Sequence, residues 1–345
     1  MLHARCQRLP SIGAPGPTFP DVFGTLRLLL AVCVALSHAG VALGGHNIGV
    51  PAVVVFYAIS GYVVRALVSR YHTRPERIPA FYGERFLRLA PQYLIYLLAG
   101  AVIWAAGAQS PFLAREPGPW EWLANAIVVP LNWYMFNGLD AFTLVPPAWS
   151  LGCEIQFYLL APWVWLAPER VRLALFTGSL GIYALAVVGV LHTDWLGYRL
   201  LPGVLWIFLA GGLLHERVAT ARGILAVLWL AHAGLLAVLL ARPALQSPFN
   251  VEVAAGIVVG LPVLALLSRA RPRSWDTALG NLSYGLFLAH FAVLWAWALW
   301  IRDDHAVPPL PLYLGAALAL AAASWWLGER PVARLRRRWF RSQRV

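Results

Sequence analysis

The chain has 345 residues, of which 60% are hydrophobic and only 12% are charged, and its mean hydropathy is +0.66. These proportions exclude a soluble globular protein of this length and indicate an integral membrane protein with a single membrane domain. The net charge is +12, and all 27 basic residues are arginines. They alternate with the apolar segments instead of forming one basic patch, which argues against a nucleic-acid-binding protein.

Apolar windows of roughly 17 to 22 residues recur along the chain, and each is long enough to cross the hydrocarbon core of a bilayer. They begin near Val22, Gly49, Ala90, Pro147, Leu173, Tyr198, Gly223, Asn250, Leu279 and Leu310. The pattern predicts an all-α integral membrane protein, a bundle of about ten transmembrane helices. We divide the chain into an N-terminal segment (residues 1–21), a multi-span membrane domain (residues 22–328) and a basic tail (residues 329–345).

The arginines lie mainly in alternate connecting segments. With a cytoplasmic N-terminus, 22 of the 27 fall on the inner side and four on the outer side, namely Arg115, Arg199, Arg242 and Arg302. Since cytoplasmic segments of membrane proteins carry the excess of positive charge, we expect both termini in the cytoplasm and a multi-pass protein of the inner (cytoplasmic) membrane. The tail is then expected to contact anionic membrane lipid, and no nucleic-acid partner is expected.

The first window contains two ionisable residues, Arg27 and His38, with ten residues between them. Eleven positions at about 100° each bring the two side chains onto one helix face, roughly 16 Å apart along the helix axis. Ionisable groups at membrane depth are costly and usually face a protein interior or a cavity. The spacing therefore predicts that Arg27 and His38 serve two depths of one path.

A further apolar window, residues 120–134, differs because it carries Glu121, Asn125 and a central Pro130. Counting it as a span would reverse the arginine asymmetry of all later segments. We interpret it as an interfacial or re-entrant element within an outer loop that runs from about Gln109 to Pro146. Its aromatic side chains could stack on sugar rings or form an aromatic belt at the lipid headgroups.

Polar residues also interrupt the second and fourth windows. In the second, the Ser60 hydroxyl stands next to Gly61, whose lack of a side chain lets a neighbouring helix approach closely. Such a pair of small residues often serves helix packing alone. The fourth contains Glu154, the only acidic residue well inside a window, with Ser150 one turn earlier on the same face. A carboxyl at this depth is a functional candidate, expected to be protonated or paired with His or Arg, and a structural hydrogen bond between helices is the alternative.

The ninth window ends at His290, with Ser283 two turns earlier on the same face, and a packing role for His290 is equally compatible with the pattern. Between the second and third windows, Arg85 and Arg88 share a helical face. Such a pair contacts lipid phosphates or binds a phosphorylated cytoplasmic ligand through forked donors. The chain has no phosphate-loop glycine motif, zinc-ligand spacing or GxSxG motif, and no metal site is expected.

Six blocks in this order resemble the acyltransferase-3 family, the membrane O-acyltransferases of bacterial surface glycans. They are Arg27 and His38 with ten residues between, FYAISGY, RFLRLAP, WSLGCEIQFYLLAP, LSYGLFLAH and the closing ERP. The resemblance extends from about residue 21 to residue 331. Two departures are small: Glu84 precedes Arg85 where a further basic residue is common, and Phe287 replaces a frequent tyrosine.

The resemblance implies an enzyme that moves an acyl group, commonly acetyl, from cytoplasmic acyl-CoA to a hydroxyl of an extracytoplasmic or lipid-linked glycan. Acyl-CoA is then a co-substrate, and no tightly bound cofactor is implied. We expect no fused hydrolase-like domain after the membrane domain, and we therefore expect the chain to complete the transfer alone or with a separate extracytoplasmic transferase partner.

The functional residues of the family fall on Arg27 and His38, on Arg85 and Arg88, and on Glu154. We expect His38 to act as general base, with Glu154 either orienting it or stabilising its cation, and with the three arginines binding the donor. Further candidates for acceptor binding or support are Ser60, Ser150, Ser283 and His290. An acyl-histidine intermediate at His38 stays open as a second route.

The alternative function is a multi-span transporter or flippase for a glycan or related solute, in which the same ionisable residues would relay protons or substrate. Transporters commonly contain paired internal repeats, and the WSLGCEIQFY pattern has no second copy in the other half of the chain. This absence favours the enzyme.

Overall fold

The computed structural model describes residues 22–71 and 74–335. The predicted N-terminal segment and the last ten residues of the predicted tail lie outside this range. The described part folds into α1 (Gly24–His38), α2 (Gly49–Tyr71), α3 (Ile78–Ala105), α4 (Pro119–Ile127), α5 (Tyr134–Asn137), α6 (Ala148–Leu166), α7 (Glu169–Val187), α8 (Leu201–Glu216), α9 (Ala219–Ala241), α10 (Asn250–Leu267), α11 (Ser274–Ile301) and α12 (Leu310–Ser324).

Shorter elements connect these helices. Single 3₁₀ turns lie at Pro75–Arg77, Pro111–Leu113, Val129–Trp133, Leu139–Ala141 and Pro243–Leu245, and π-helical turns at Trp195–Arg199 and Trp325–Glu329. The second π turn continues α12, so that one helical segment runs from Leu310 to Leu335. The predicted domain boundary at residue 329 therefore falls inside a continuous helix.

Each predicted window overlaps one of the ten helices of 15 or more residues in the described range. Eight helical segments are long and apolar enough to cross a membrane, whereas α1 is shorter and the more polar α6 falls outside the eight. The all-helical, multi-pass membrane fold is thus confirmed. The number of ten crossings and the orientation of the termini stay predictions.

Helix α3 corrects one predicted boundary. The third window was expected to begin near Ala90, but the helix begins at Ile78 and includes Arg85 and Arg88 in its first turns. Pro91 lies inside it. Because the basic segment and the apolar segment form one helix, the two arginines are fixed to the bundle instead of lying on a separate surface helix.

Residues 106–147 form a compact cap without a helix of spanning length, as the sequence predicts. Helix α4 has nine residues and ends before Val128, whose φ of 67° breaks the helical path. The buried Asn125 amide fastens α4 to the next segment, donating to the Phe142 carbonyl (3.1 Å) and accepting from the Leu144 N–H (2.9 Å). In the same helix, the backbone N–H of Glu121 itself, and then that of Gly118, donate to the Glu121 carboxylate and hold its pKa below the ordinary value.

Close backbone contacts set the packing of the central helices. A Cβ added at Gly61 of α2 would lie 1.7 Å from the Phe208 carbonyl oxygen of α8, and one at Gly211 of α8 would lie 1.9 Å from the Ala58 carbonyl oxygen. Only glycine permits this approach, so the packing interpretation of Gly61 holds. A Cβ at Gly24 would similarly overlap the Asp276 carbonyl, which brings α1 against α11.

The segments that connect successive long helices lie alternately at the two ends of the bundle, as expected for a chain that crosses back and forth. At one end, the β-hairpin β1 (Ala42–Leu43) and β2 (His46–Asn47) lies against α10, where Glu252 accepts from the Asn47 N–H at 3.2 Å. At the other end, Arg65 pairs with Glu216 at 2.9 Å and Arg217 donates to the Ser268 carbonyl at 2.5 Å. We name these ends outer and inner after the expected topology.

Candidate active site

The inner half of the bundle encloses a cavity of about 130 Å³, the inner cavity, formed by α1, α2, α3, α6 and α11. Its polar lining residues are Arg27, Tyr57, Ser60, Arg85, Arg88, Ser150, Glu154, Tyr158, Ser283 and Tyr284. Seven of the nine site residues expected from the sequence are in this group. The motifs therefore converge in space, although they are spread over five helices.

Arg27 is placed by the start of α1. The Asp276 carboxylate, from the first turn of α11, accepts from the Gly24 N–H (2.9 Å), the Thr25 N–H (2.7 Å) and the Thr25 hydroxyl (2.5 Å). A carboxylate at a helix N-terminus satisfies free N–H groups and interacts favourably with the helix dipole. Asp276, 251 residues away in sequence from Thr25, fixes the position and rotation of the helix that carries Arg27 and His38.

Glu154 occupies the wall of the inner cavity with two hydroxyl donors. Ser60 and Tyr158 both donate to its Oε1, Tyr158 at 2.5 Å. The Tyr158 ring lies under the Arg85 guanidinium, 5.6 Å from its centroid. Glu154, Tyr158 and Arg85 thus form a connected series along one side of the cavity.

Arg85 and Arg88 are each held by a carboxylate and an aromatic ring. Arg85 donates to Glu84 at 2.8 Å, and its side chain is 12% exposed. Arg88 donates to Glu329 of the ERP block, is 18% exposed, and lies 5.9 Å from the Tyr284 ring centroid. This degree of burial, together with the lining of the cavity, does not fit a pair that contacts bulk lipid phosphates. Glu84, the departure from the family pattern, is the partner of Arg85.

His38 lies in a second, smaller cavity of about 60 Å³, the outer cavity. It is the last residue of α1, and its Nδ1 lies 3.1 Å from Nε2 of the fully buried His290. The two imidazoles are stacked, with centroids 5.0 Å apart, and Phe291 packs against both rings. His290 is therefore the hydrogen-bonded partner of His38, which leaves Nε2 of His38 for other contacts.

This geometry corrects one expectation. Glu154 was expected to orient His38 or stabilise its cation, but its carboxylate contacts Ser60 and Tyr158 in the inner cavity. The physical reason is the placement of the helices, since α6 presents Glu154 toward α2 and the inner half of the bundle. The orienting contact comes instead from α11 through His290.

The two cavities adjoin. Val53, Ser150 and Phe287 line both of them. The Ser150 hydroxyl donates to the Pro147 carbonyl at 3.0 Å, and the Ser283 hydroxyl donates to the Gly280 carbonyl at 2.8 Å. Both serines thus bond within their own chain segment, unlike Ser60. Arg27 lines the inner cavity and His38 the outer one, and their service to one path stays a prediction.

Sequence reasoning missed Arg199, which was counted only as one of four outer arginines. It lines the outer cavity with His38 and pairs with Asp194 at 2.6 Å. The sequence offered one signal for it. Arg199 lies on the expected outer side of the membrane, where the positive-inside rule predicts few arginines. The role of Asp276 had no local signal, because only the folded bundle brings it to α1.

These features define a helical membrane protein with two adjoining cavities, each lined by ionisable side chains. The chain matches the acyltransferase domain family over residues 23–329. It therefore belongs to the acyltransferase-3 family and is an acyltransferase for groups other than aminoacyl groups. The family match favours the enzyme over the transporter.

Three bacterial proteins are similar to the chain. Nodulation protein 10 of Rhizobium leguminosarum bv. viciae is 26% identical and covers 91% of this chain and 93% of its own length. An uncharacterised Aquifex aeolicus protein is 35% identical over 50% of the chain and 79% of its own length. Acyltransferase MdmB of Streptomyces mycarofaciens is 31% identical over 34% of the chain and 28% of its own length. No solved structure matches the chain.

Proposed function

We propose that this membrane acyltransferase takes an acetyl group from cytoplasmic acetyl-CoA and esterifies a hydroxyl of an extracytoplasmic or lipid-linked glycan, in the bacterial inner membrane. The observation that carries the proposal is the pair of adjoining cavities, with three arginines in the inner one and His38 in the outer one. Acyl-CoA carries phosphates at one end and a reactive thioester at the other. The arginines of the inner cavity would bind the phosphate end, and His38 in the outer cavity would meet the thioester. The membrane domain of residues 22–328 would carry the whole site, apart from Glu329.

In the donor step, the arginines of the inner cavity bind oxygen atoms of the acyl-CoA. Guanidinium groups present planar, forked donors that match phosphate geometry. Since Arg85 and Arg88 are already ordered by carboxylates and tyrosine rings, little side-chain entropy is lost on binding. The slender acyl-bearing arm would extend past Ser150 and Phe287 toward His38.

In the transfer step, Nε2 of His38 accepts the proton of the acceptor hydroxyl as its oxygen attacks the thioester carbonyl carbon. The carbon–sulfur bond then breaks, the acyl–oxygen bond is complete, and the proton passes from His38 to the departing thiolate of CoA. His290 holds the His38 ring through the 3.1 Å contact at Nδ1. The apolar walls that include Val53 and Phe287 limit the access of water to the thioester.

Purified protein in lipid vesicles with ¹⁴C-acetyl-CoA tests the function. The wild type should form acetyl esters on added glycan acceptors, and His38→Ala should lower kcat about 10²–10⁴-fold, the usual contribution of a general acid–base group. His305→Ala, at an exposed connecting residue, is the matched control and should retain full activity. Undiminished ester formation by a folded His38→Ala protein would exclude both general-base and acyl-histidine routes.

A separate extracytoplasmic transferase partner is tested in the same assay. We expect the purified chain alone to release ester product. Accumulation of acyl-protein without product, relieved by a membrane-free periplasmic extract, would instead support the partner.

A further inference from the structure

Arg199 is a cation that the mechanism above does not use. It ends the π-helical turn before α8, where its Nε donates to the Asp194 carboxylate at 2.6 Å. Its guanidinium lies over four aromatic rings at centroid distances of 4.4 to 5.6 Å, and its side chain is 15% exposed. The rings belong to Tyr134, Trp149, Tyr198 and Phe249. Such a setting fixes the position of a normally flexible side chain.

The free donors of Arg199 belong to the outer cavity. Within the described residues, 22–71 and 74–335, the Arg199 side chain forms one hydrogen bond, donated by its Nε. Its two terminal nitrogens form no hydrogen bond to these residues. Arg199 lines the same cavity as His38. A partly buried side chain that is held by its Nε, in a cavity that it shares with His38, is suited to binding oxygen atoms of a substrate through its terminal nitrogens.

The charge around Arg199 restricts what those oxygen atoms can belong to. Asp194 offsets its positive charge at direct contact. Glu252 adds a second carboxylate near the cavity, where it accepts from the N–H of the lining residue Asn47 and lies 3.3 Å from His46 Nδ1. Arg199 is the one arginine or acidic residue among the described lining residues of the outer cavity. The outer cavity therefore presents a single guanidinium, whose charge a directly contacting carboxylate offsets, whereas three arginines converge on the inner cavity. An anionic ligand is accordingly less favoured in the outer cavity than in the inner one.

We infer that Arg199 positions the acceptor, and that the acceptor is an uncharged, hydroxyl-rich molecule, such as a neutral sugar, in preference to a uronic acid or a phosphorylated sugar. The inference rests on the proposed function. The terminal nitrogens of Arg199 donate to hydroxyl oxygens next to the reacting hydroxyl and present the latter to His38. Arg199 takes no proton in the transfer, so it is a positioning and specificity residue.

The test uses the full chain in vesicles, ¹⁴C-acetyl-CoA and three probes: p-nitrophenyl β-D-glucopyranoside, the xyloside and the glucuronide. The xyloside controls for the loss of the C6 hydroxyl in the glucuronide. Wild-type enzyme should have at least about tenfold higher kcat/KM for the two neutral probes than for the glucuronide, because an anion at this site is poorly compensated. Arg199→Gln should raise the KM for the neutral probes about tenfold, through loss of hydrogen bonds, with little change in kcat or in the dissociation constant of acetyl-CoA.

Asp194→Asn is the more discriminating variant, because asparagine retains an acceptor for Nε while removing the charge. It should leave Arg199 with an uncompensated positive charge and shift the preference toward the glucuronide about tenfold relative to wild type. Arg199→Lys keeps the charge but loses the fork and should resemble Arg199→Gln on the neutral probes. Melting temperatures in detergent identify any variant that fails to fold. The inference is then judged on the variants at Arg199 and Asp194 that do fold.

The inference is overturned if wild type prefers the glucuronide, if Asp194→Asn leaves the ratio unchanged, or if folded Arg199 variants keep the wild-type KM. It is also overturned if the enzyme binds acetyl-CoA yet acetylates none of the probes. Failure of the proposed function looks different, since wild-type protein would then neither bind labelled acetyl-CoA nor release CoA.

Discussion

At the scale of single residues, the charged groups of the path are connected to one another. Glu154 receives bonds from Ser60 and Tyr158, and Tyr158 underlies Arg85. Because an uncompensated polar group at this depth is costly, removing one member should disturb its partners more than it disturbs the fold. The functional effects of these side chains should therefore be strongly coupled.

We expect Glu154→Gln and Tyr158→Phe each to lower kcat/KM about tenfold and the double variant to be little worse than either single one, because both changes break the same contact. The serines of the inner cavity provide a matched pair. Ser60→Ala should lower activity because its hydroxyl binds Glu154, whereas Ser283→Ala should change it less than about twofold because its hydroxyl binds its own helix. Fully additive effects in the double variant would contradict the connected series.

His290 gives a second prediction at this scale. His290→Leu removes the hydrogen bond to His38 and should lower kcat about tenfold, the usual worth of one orienting bond, with an unchanged KM for acetyl-CoA. His290→Gln keeps an amide within reach of His38 and should recover part of the loss. Equal activity of the leucine and glutamine variants would mean that His290 serves packing alone.

Several of these residues could be identified from the sequence, but most of their contacts could not. Arg27, His38 and Glu154 stand out because ionisable groups are rare in apolar windows. The partner of His38 lies 252 residues away, as does the link from Gly24 to Asp276. Such pairs follow from which helices become neighbours, and periodicity within one helix carries no information on this.

At the scale of secondary-structure elements, the apolar windows of the sequence predicted where the long helices lie. The ends of the helices depend on local residues that hydropathy does not register. The predicted start of α3 was late because its first turns are amphipathic and hydropathy alone does not register them. Residues 120–134 were interpreted correctly as lacking a span, since polar side chains and Pro130 mark the break after α4. Helix order in space had no comparable signal, and the glycine contacts decide much of it.

The crossing of α2 and α8 can be tested at Gly61. Gly61→Ala should destabilise the protein by about 1–3 kcal/mol, because the new methyl overlaps the α8 backbone and the helices must separate. Gly181→Ala in α7, where no other atom lies within 4 Å of the new Cβ, is the control and should be neutral or slightly stabilising. Thermal unfolding in detergent, followed by circular dichroism, measures both. A similar loss in the two variants would argue against a specific crossing.

At the scale of the whole molecule, the arginine distribution and the two ends of the bundle agree on an alternating topology. The hairpin at residues 42–47 lies at the same end as the start of α10, and the connection after α8 lies at the opposite end, with Ser268. The absolute orientation is the remaining prediction. It depends on the excess of inner arginines, and therefore it can be measured without any knowledge of the substrate.

Two single cysteines report the orientation, in a background where Cys6, Cys33 and Cys153 are replaced by alanine. Leu43→Cys, at a position that is 75% exposed, should react with a membrane-impermeant thiol reagent in cells with a permeabilised outer membrane. Val218→Cys, at a position that is 49% exposed, should react only after the inner membrane is opened. The reverse pattern would invert the topology and place the arginines of the inner cavity on the wrong side for cytoplasmic acyl-CoA.

The contact between Arg88 and Glu329 joins the third long helix to the final described helical segment. During synthesis, α3 enters the membrane long before the ribosome reaches Glu329. Until then Arg88 lacks its carboxylate and α11 has no α12 beside it, so the wall of the inner cavity is unfinished throughout most of translation. A partly made chain would therefore lack the complete inner cavity, and the ordered position of Arg88 would arrive only with the last helix.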